Sequence, residues 1–305
     1  MSERALFEKK HIQSLIESPD ILEGVVESYR EIWDKDDALD ERELGANEYL
    51  SRVLEQVIAD QYPSVYKELF DRIDPDAHPL KATSAGCRVV ADSLSLREAF
   101  KLCRDWESAE WDVEFDWTVV PAVPTTTKFA CQAWYNRNAP SAVHQDGFTH
   151  LGGNEVNLQN STPETVWMMY ADNRLHHSTH GSSTIQAVDD IYETTRGLLE
   201  TIFSRTIHDT VLITSDHGYL NFLGNNPYSL SDSADSRIRD YFDDRFCEVS
   251  NDSALHGLEE EGFTVRDSGH YMLKGHYHRP NRSRRFTHGG ASLLECLTPA
   301  LTVSL

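Results

Sequence analysis

From Lys81 onward, short apolar runs alternate with stretches of helical spacing. Cys87-Arg88-Val89-Val90-Ala91, Trp117-Thr118-Val119-Val120, Thr165-Val166-Trp167-Met168-Met169-Tyr170 and Thr210-Val211-Leu212-Ile213-Thr214 are rich in β-branched and aromatic residues, which predicts buried strands. Between them, Ser95–Cys103, Phe129–Trp134 and Ile185–Phe203 carry apolar residues three and four apart, as amphipathic helices do, and a further helix is expected from Ser292 to Leu297. Strands that alternate with helices predict an α/β fold, a mostly parallel sheet with helices on both faces. Asn136–Thr162 and Gly224–Ser236, rich in Asn, Gly, Ser and Pro, are expected as loops rimming a site.

The chain before Lys81 reads as helical throughout. Leu6, Ile12, Leu15 and Ile16, then Ile21, Val25, Val26, Tyr29, Ile32 and Trp33, then Tyr49, Val53, Leu54, Val57 and Ile58 recur at helical spacing. Breaks are expected at Ser18-Pro19-Asp20 and along Asp34–Glu43, and Pro63 opens a shorter helix through Tyr66 and Leu69-Phe70. Asp74-Pro75-Asp76 and His78-Pro79 mark a boundary, so residues 1–80 are expected as an α-helical N-terminal segment and residues 81–305 as the main domain. The stripe Val25, Tyr29, Trp33 has two readings. Either it packs on the sheet, which is the simpler use, or it is exposed and recruits a protein partner.

Composition narrows the class. With 305 residues and 39% apolar content the chain can bury one large core or two modest ones. No run approaches the roughly 18 apolar residues of a spanning helix, and Met1–Glu8 lacks a basic-then-apolar leader, so a soluble, cytoplasmic protein is expected. Five scattered cysteines without a C-x-x-C pair point to reduced thiols. The charge of -22, from 50 acidic against 28 basic residues, is spread along the chain, which suits a halophilic protein whose self-repulsion is screened by salt. No basic stripe for duplex nucleic acid is visible.

Five polar clusters close apolar runs, and in an open parallel sheet such positions converge beyond the carboxyl ends of the strands. They are Asp92, Thr127, Asp172 with His176, Asp216-His217, and His288. Together they offer enough carboxylate and imidazole for two divalent metals, with a hydroxyl between. Thr214-Ser215-Asp216-His217-Gly218 is the strongest, since it places an oxygen and a nitrogen donor side by side and Gly218 lets the backbone turn. In Asp172-Asn173-Arg174-Leu175-His176 one helical turn would bring the two donors together, although His177 and His180 compete for the role. Asp92 can be a ligand or the N-cap of the next helix. Pro124-Thr125-Thr126-Thr127-Lys128 offers a hydroxyl nucleophile or only a capping turn. His288 precedes paired glycines and supplies a ligand that the set otherwise lacks.

The order Asp, Pro-Thr-x-Thr, Asp-x-x-x-His, Ser-Asp-His-Gly and late His resembles the alkaline phosphatase superfamily. Within it, Pro124 to Phe129, Thr214 to Gly218, and His288 to Glu295 followed by Pro299 are similar to the PglZ domain, over about Cys87 to Val303. The resemblance implies a two-metal phosphoric ester hydrolase, its metals usually Zn2+, acting on a phosphate ester or nucleotide. By position, Thr127 is the nucleophile, beside a metal held by Asp92, Asp216 and His217, while Asp172, His176 and His288 hold the other. Lys128 and Arg245 are expected as phosphate contacts. PglZ-type domains also occur in phage-defence and signalling proteins, so the alternative is a metal-binding regulatory module without turnover.

Overall fold

The computed structural model describes residues 15, 18–82, 86–158, 164–177, 188–222, 228–242, 244–250, 253–278 and 286–305. The expected helical residues Leu6, Ile12, Ile16 and Ile185 lie outside them. The strands among the described residues, numbered along the chain, are β1 (Cys87–Ala91), β2 (Asp112–Val119), β3 (Phe148–Leu151), β4 (Thr165–Met168), β5 (Thr210–Thr214), β6 (Leu220–Asn221), β7 (Phe246–Glu248), β8 (Thr264–Asp267), β9 (His270–Leu273), β10 (Phe286–Thr287) and β11 (Leu297–Ser304).

Six of these strands form the central sheet in the order β2-β11-β5-β1-β4-β3. β1 lies in the middle, parallel to β4 and β5, with Val89 opposite Val166 on one side and Ile213 on the other. β3 continues the parallel run beyond β4, while β11 is antiparallel to both β5 and β2. The sheet is therefore mostly parallel, and its two faces are covered differently. Successive strand residues point to opposite faces. Val89, Val166, Ile213 and Leu301 enter a large core with Phe100 and Leu102 of the Leu96–Ser108 helix and Leu199 and Ile202 of the Val188–Arg205 helix. Val90 and Trp167 face a smaller core with Ala130, Cys131 and Trp134 of the Thr127–Tyr135 helix.

Several elements differ from expectation, each for a local reason. Asn136–Thr162, expected as loop, contains β3, a four-residue edge strand whose half-exposed residues give little apolar signal. Helix Asp232–Tyr241 starts inside the expected loop Gly224–Ser236, where the Ser/Asp-rich sequence is a helix cap, with Ser231 accepting from the Ala234 amide at 3.2 Å. β2 runs back to Asp112, where, on an edge, the core-facing Val113, Phe115 and Trp117 alternate with exposed Asp112, Glu114 and Asp116 and so form no apolar run. The helix expected over Ser292–Leu297 is the single turn Leu293–Cys296, closed by a capping box of Ser292 and Glu295, after which the chain passes directly into β11.

The N-terminal helices Ile21–Trp33, Glu41–Gln61 and Val65–Asp71 share the large core with the sheet, while Leu80 of the short helix Pro79–Ala82 packs in the smaller core on the other face. Val25, Tyr29 and Trp33 are fully buried in it, which corrects the reading of that stripe as a docking surface for a protein partner. Buried polar ties reinforce the packing. Glu48 of the Glu41–Gln61 helix pairs with Arg97 at 3.0 Å, and Glu55 accepts from the Leu293 amide at 2.7 Å and from the Tyr66 hydroxyl at 3.0 Å. Between β6 and β10 the chain builds a smaller unit, the antiparallel sheet β7-β9-β8 with helices Asp232–Tyr241 and Ser253–Glu260 around Ile238, Phe242, Leu255, Leu258, Tyr271 and Leu273. Among the described residues no helix is long and apolar enough to cross a membrane.

Candidate active site

The strand ends bring the polar clusters together. Asp92 follows β1, Asp172 and His176 lie in the helix Tyr170–His177 after β4, Asp216 and His217 follow β5, and His288 follows β10. Thr127 opens the Thr127–Tyr135 helix. Its hydroxyl lies 3.1 and 3.2 Å from the two carboxylate oxygens of Asp92 and 3.3 Å from His217 Nε2. His217 Nε2 is 3.3 Å from Asp216 Oδ2 and 3.8 Å from Asp92 Oδ1. On the other side, Asp172 Oδ1 is 3.3 Å from His176 Nε2 and 3.7 Å from His288 Nε2, and the two imidazole nitrogens are 2.9 Å apart. The rings of His217 and His288 stack at 4.2 Å between centroids, so the two groups of donors are contiguous.

The histidine tautomers follow from their backbone partners. His217 Nδ1–H donates to the Gly218 carbonyl and His288 Nδ1–H to the Thr125 carbonyl, both at 3.0 Å, because a carbonyl only accepts. In each neutral ring Nε2 is then a lone pair turned into the site. His217 Nε2 meets Asp216 Oδ2, a buried oxygen without a hydrogen-bond donor, and His288 Nε2 meets His176 Nε2 and Asp172. His217 Nε2 against the Asp216 carboxylate is an acceptor facing an acceptor, which suits a cation between them, whereas a His176 Nε2–H can donate to Asp172 or to His288. The ligand atoms of Asp92, Asp216 and His217 lie within 4.8 Å of one another, as do those of Asp172, His217 and His288, a spacing that suits divalent ions.

Electrostatics points the same way. Burial, with the neighbouring carboxylates Asp216 and Asp172, drives the Asp92 carboxyl well above the usual range, and burial together with Asp172 pushes Asp216 up to about 7. Burial lowers His217 and brings His288 down to about 4. Asp172 goes the other way: burial would raise it, but the hydrogen bond from His176 and the positive charge that His288, His176 and His217 carry when protonated hold it below the ordinary value. Two buried carboxyls that resist ionising beside neutral imidazoles form a site in need of positive charge.

Further residues shape the site. Ser93, at φ 64°, donates its hydroxyl to Asp172 at 2.7 Å and its amide to Asp216 at 3.3 Å, and Trp167 Nε1 donates to Asp92 at 2.9 Å. Sequence reading missed both, although Ser93 directly follows Asp92. Asp92 is not a helix cap: Ser95 caps Leu96–Ser108 in a capping box with Glu98, which leaves the Asp92 carboxylate to the site. Thr125 is buried, donating to the Gly290 carbonyl at 3.0 Å and accepting from the Gly289 amide at 2.9 Å, so among the threonines Thr127 is the one aimed at the donors.

Lys128 is exposed beside Thr127. Arg245 is corrected. Its guanidinium is fully buried, pairing with both oxygens of Glu295 at 3.0 Å and donating to the carbonyls of Leu273, Gly275 and Tyr277, so it holds the chain around Glu295 and offers no face to a phosphate. His176 is the donor of its cluster that reaches Asp172; the His177 side chain and His180 lie outside the described residues.

Residues 122–303, well over half of the chain, match the family model of the BREX system PglZ alkaline phosphatase-like domain. The chain belongs to the PglZ family. This PglZ domain thus spans the Thr127 turn, the Asp172, Asp216 and His288 clusters and the inserted sheet, and β1 with Asp92 precedes it. No curated protein matches the chain. Among solved structures, phosphonoacetate hydrolase from Sinorhizobium meliloti 1021 in complex with phosphonoacetate is similar at 9% identity over 72% of this chain, with a TM-score of 0.29. The same enzyme with phosphonoformate gives 9% identity over 72% of this chain and a TM-score of 0.28. The chain spans 65% of the length of those structures.

Proposed function

We propose that this PglZ-family protein is a metal-dependent hydrolase of phosphoric esters, phosphatase or phosphodiesterase, with nucleotides and oligonucleotides as its substrate class and Thr127 as nucleophile. The observation that carries the reading is the position of the Thr127 hydroxyl, 3.1 Å from Asp92 Oδ1 and 3.3 Å from His217 Nε2, beside carboxylate and imidazole groups spaced to hold divalent ions. Asp92, Asp216 and His217 would hold one divalent ion beside Thr127, and Asp172, His176 and His288 the other; the nitrogen and oxygen donors suit Zn2+. Such a pair, when bound, lowers the pKa of an adjacent hydroxyl and offsets negative charge at the reacting phosphoryl group.

The chain's own residues account for the remainder. The Thr127 proton is held between Asp92 and His217, which aims the oxygen lone pair into the site. Attack by Thr127 Oγ1 forms a bond to phosphorus as the bond to the alcohol breaks, and the alcohol leaves with a proton, giving phosphothreonine. Water then cleaves that ester, restoring the Thr127 hydroxyl and releasing the phosphoryl product. Lys128, exposed at the start of the same helix, supports an anionic substrate. The charge of -22 and five free cysteines support work in a salty, reducing interior.

Hydrolysis of p-nitrophenyl phosphate and bis-p-nitrophenyl phosphate tests the reading. Turnover is expected to vanish with a chelator and to return with zinc. Turnover that survives complete metal removal would reject the mechanism, and the preferred ester distinguishes phosphatase from diesterase.

A further inference from the structure

Beside the Thr127 turn stand three half-buried aromatic rings that the reaction above does not use. Phe129 lies two residues beyond Thr127, Phe246 comes from β7 and His270 from β9. Their centroids are 5.9 Å apart for Phe129 and Phe246, 5.0 Å for Phe129 and His270, and 5.7 Å for Phe246 and His270, all edge to face. An edge-to-face contact uses one edge and one face, so rings in such a group keep faces for another aromatic partner.

The group adjoins the reacting residues on two sides. A Cβ on Gly289, at φ 100°, would lie 3.1 Å from Phe246 Cδ1 and 3.5 Å from the Thr126 methyl, so the absence of a side chain seats Phe246 on the main chain next to His288. Lys128 Nζ lies over the Phe129 ring, 5.5 Å from its centroid, so a positive charge accompanies the aromatic group. The inserted sheet has its own core, to which Phe129 contributes nothing.

We propose that Phe129, Phe246 and His270 form a subsite for a planar aromatic group of the substrate, nucleobase in size, joined to the phosphoryl group that Thr127 attacks. The proposal rests on the reading of Thr127 as nucleophile. What links the rings to the site is Phe246, packed beside Gly289 next to His288 and near the Thr126 methyl, with Phe129 and His270 extending the aromatic surface from it, and the exposed Lys128 amine matches the ester's negative charge. Stacking of this kind accepts any base, because it uses the ring face and not the hydrogen-bonding edge.

The test is equilibrium binding of thymidine 5′-monophosphate and of methyl phosphate to the zinc-loaded full chain, compared by calorimetry in wild type, Phe246→Ala, Phe246→Trp and His270→Ala. The nucleotide is expected to bind at least about tenfold more tightly than methyl phosphate in wild type, the size of a base stacked on an aromatic ring. Phe246→Ala should bring that ratio close to one, His270→Ala should reduce it, and Phe246→Trp should keep it. Equal binding of the two probes by wild type, or a ratio undiminished in both alanine variants, would overturn the subsite. Preference without ester hydrolysis would keep the subsite and reject the catalytic reading, and hydrolysis without preference would do the reverse.

Discussion

Thr125 and Thr127 sit two residues apart and do opposite jobs, one tying the His288-Gly289-Gly290 segment to the turn and the other facing the carboxylates. The same division applies to the acids. Asp216 Oδ2 has no protein donor, so Asp216→Asn removes charge where a cation is called for, and zinc affinity should fall at least about tenfold, by titration against a zinc-sensitive dye. Ser93→Ala, which strips the 2.7 Å hydrogen bond from Asp172, should weaken zinc by a similar factor; unchanged affinity in both variants would reject the ligand assignment. The cluster of polar residues was legible because most of them follow apolar runs that become strands. Arg245 was misread because its partner Glu295 is 50 residues away, and nothing in Asp243-Asp244-Arg245-Phe246 distinguishes a guanidinium turned inward from one on the surface.

Among the elements, the Glu41–Gln61 helix is tied to the body by buried charge as well as by apolar packing. Glu48 and Arg97 are almost completely buried, and Glu48→Gln leaves the guanidinium without its counter-charge. Such a break costs about 3 to 5 kcal/mol, to be measured by urea unfolding; a loss below about 1 kcal/mol would show that the pair contributes little to docking. The central parallel strands were readable because strands buried on both faces are continuous apolar runs. β3, much of β2 and the inserted sheet were not, since one side of each faces solvent or a small separate core and the apolar signal is diluted.

For the molecule as a whole, acid should be a distinct threat. His78 is buried against Trp134, its Nδ1 accepting from the Leu80 amide at 3.2 Å, and burial lowers its pKa from 6.5 to about 3. The unfolded chain therefore takes up a proton there that the folded chain refuses. This contribution to stability is complete above about pH 6.5 and is lost as pH falls toward 3. His78→Phe should flatten that part of the stability curve, read from urea midpoints between pH 7 and 4. An unchanged slope would show that His78 is not the group responsible. The mostly parallel fold was visible in the strand and helix alternation. That the N-terminal helices share the sheet's core was the simpler of two readings, and it holds because Val25, Tyr29 and Trp33 are spent inside the chain.

The central claim is that Thr127 is the attacking oxygen within a metal-holding site. It is tested most directly by assaying bis-p-nitrophenyl phosphate and p-nitrophenyl phosphate hydrolysis in Thr127→Ala, with the metal content of the same preparation determined alongside wild type. Retained metal with turnover reduced at least about a thousandfold is the expected result, since the covalent step is removed while the donors remain. Turnover near the wild-type rate in the metal-loaded variant would contradict the account.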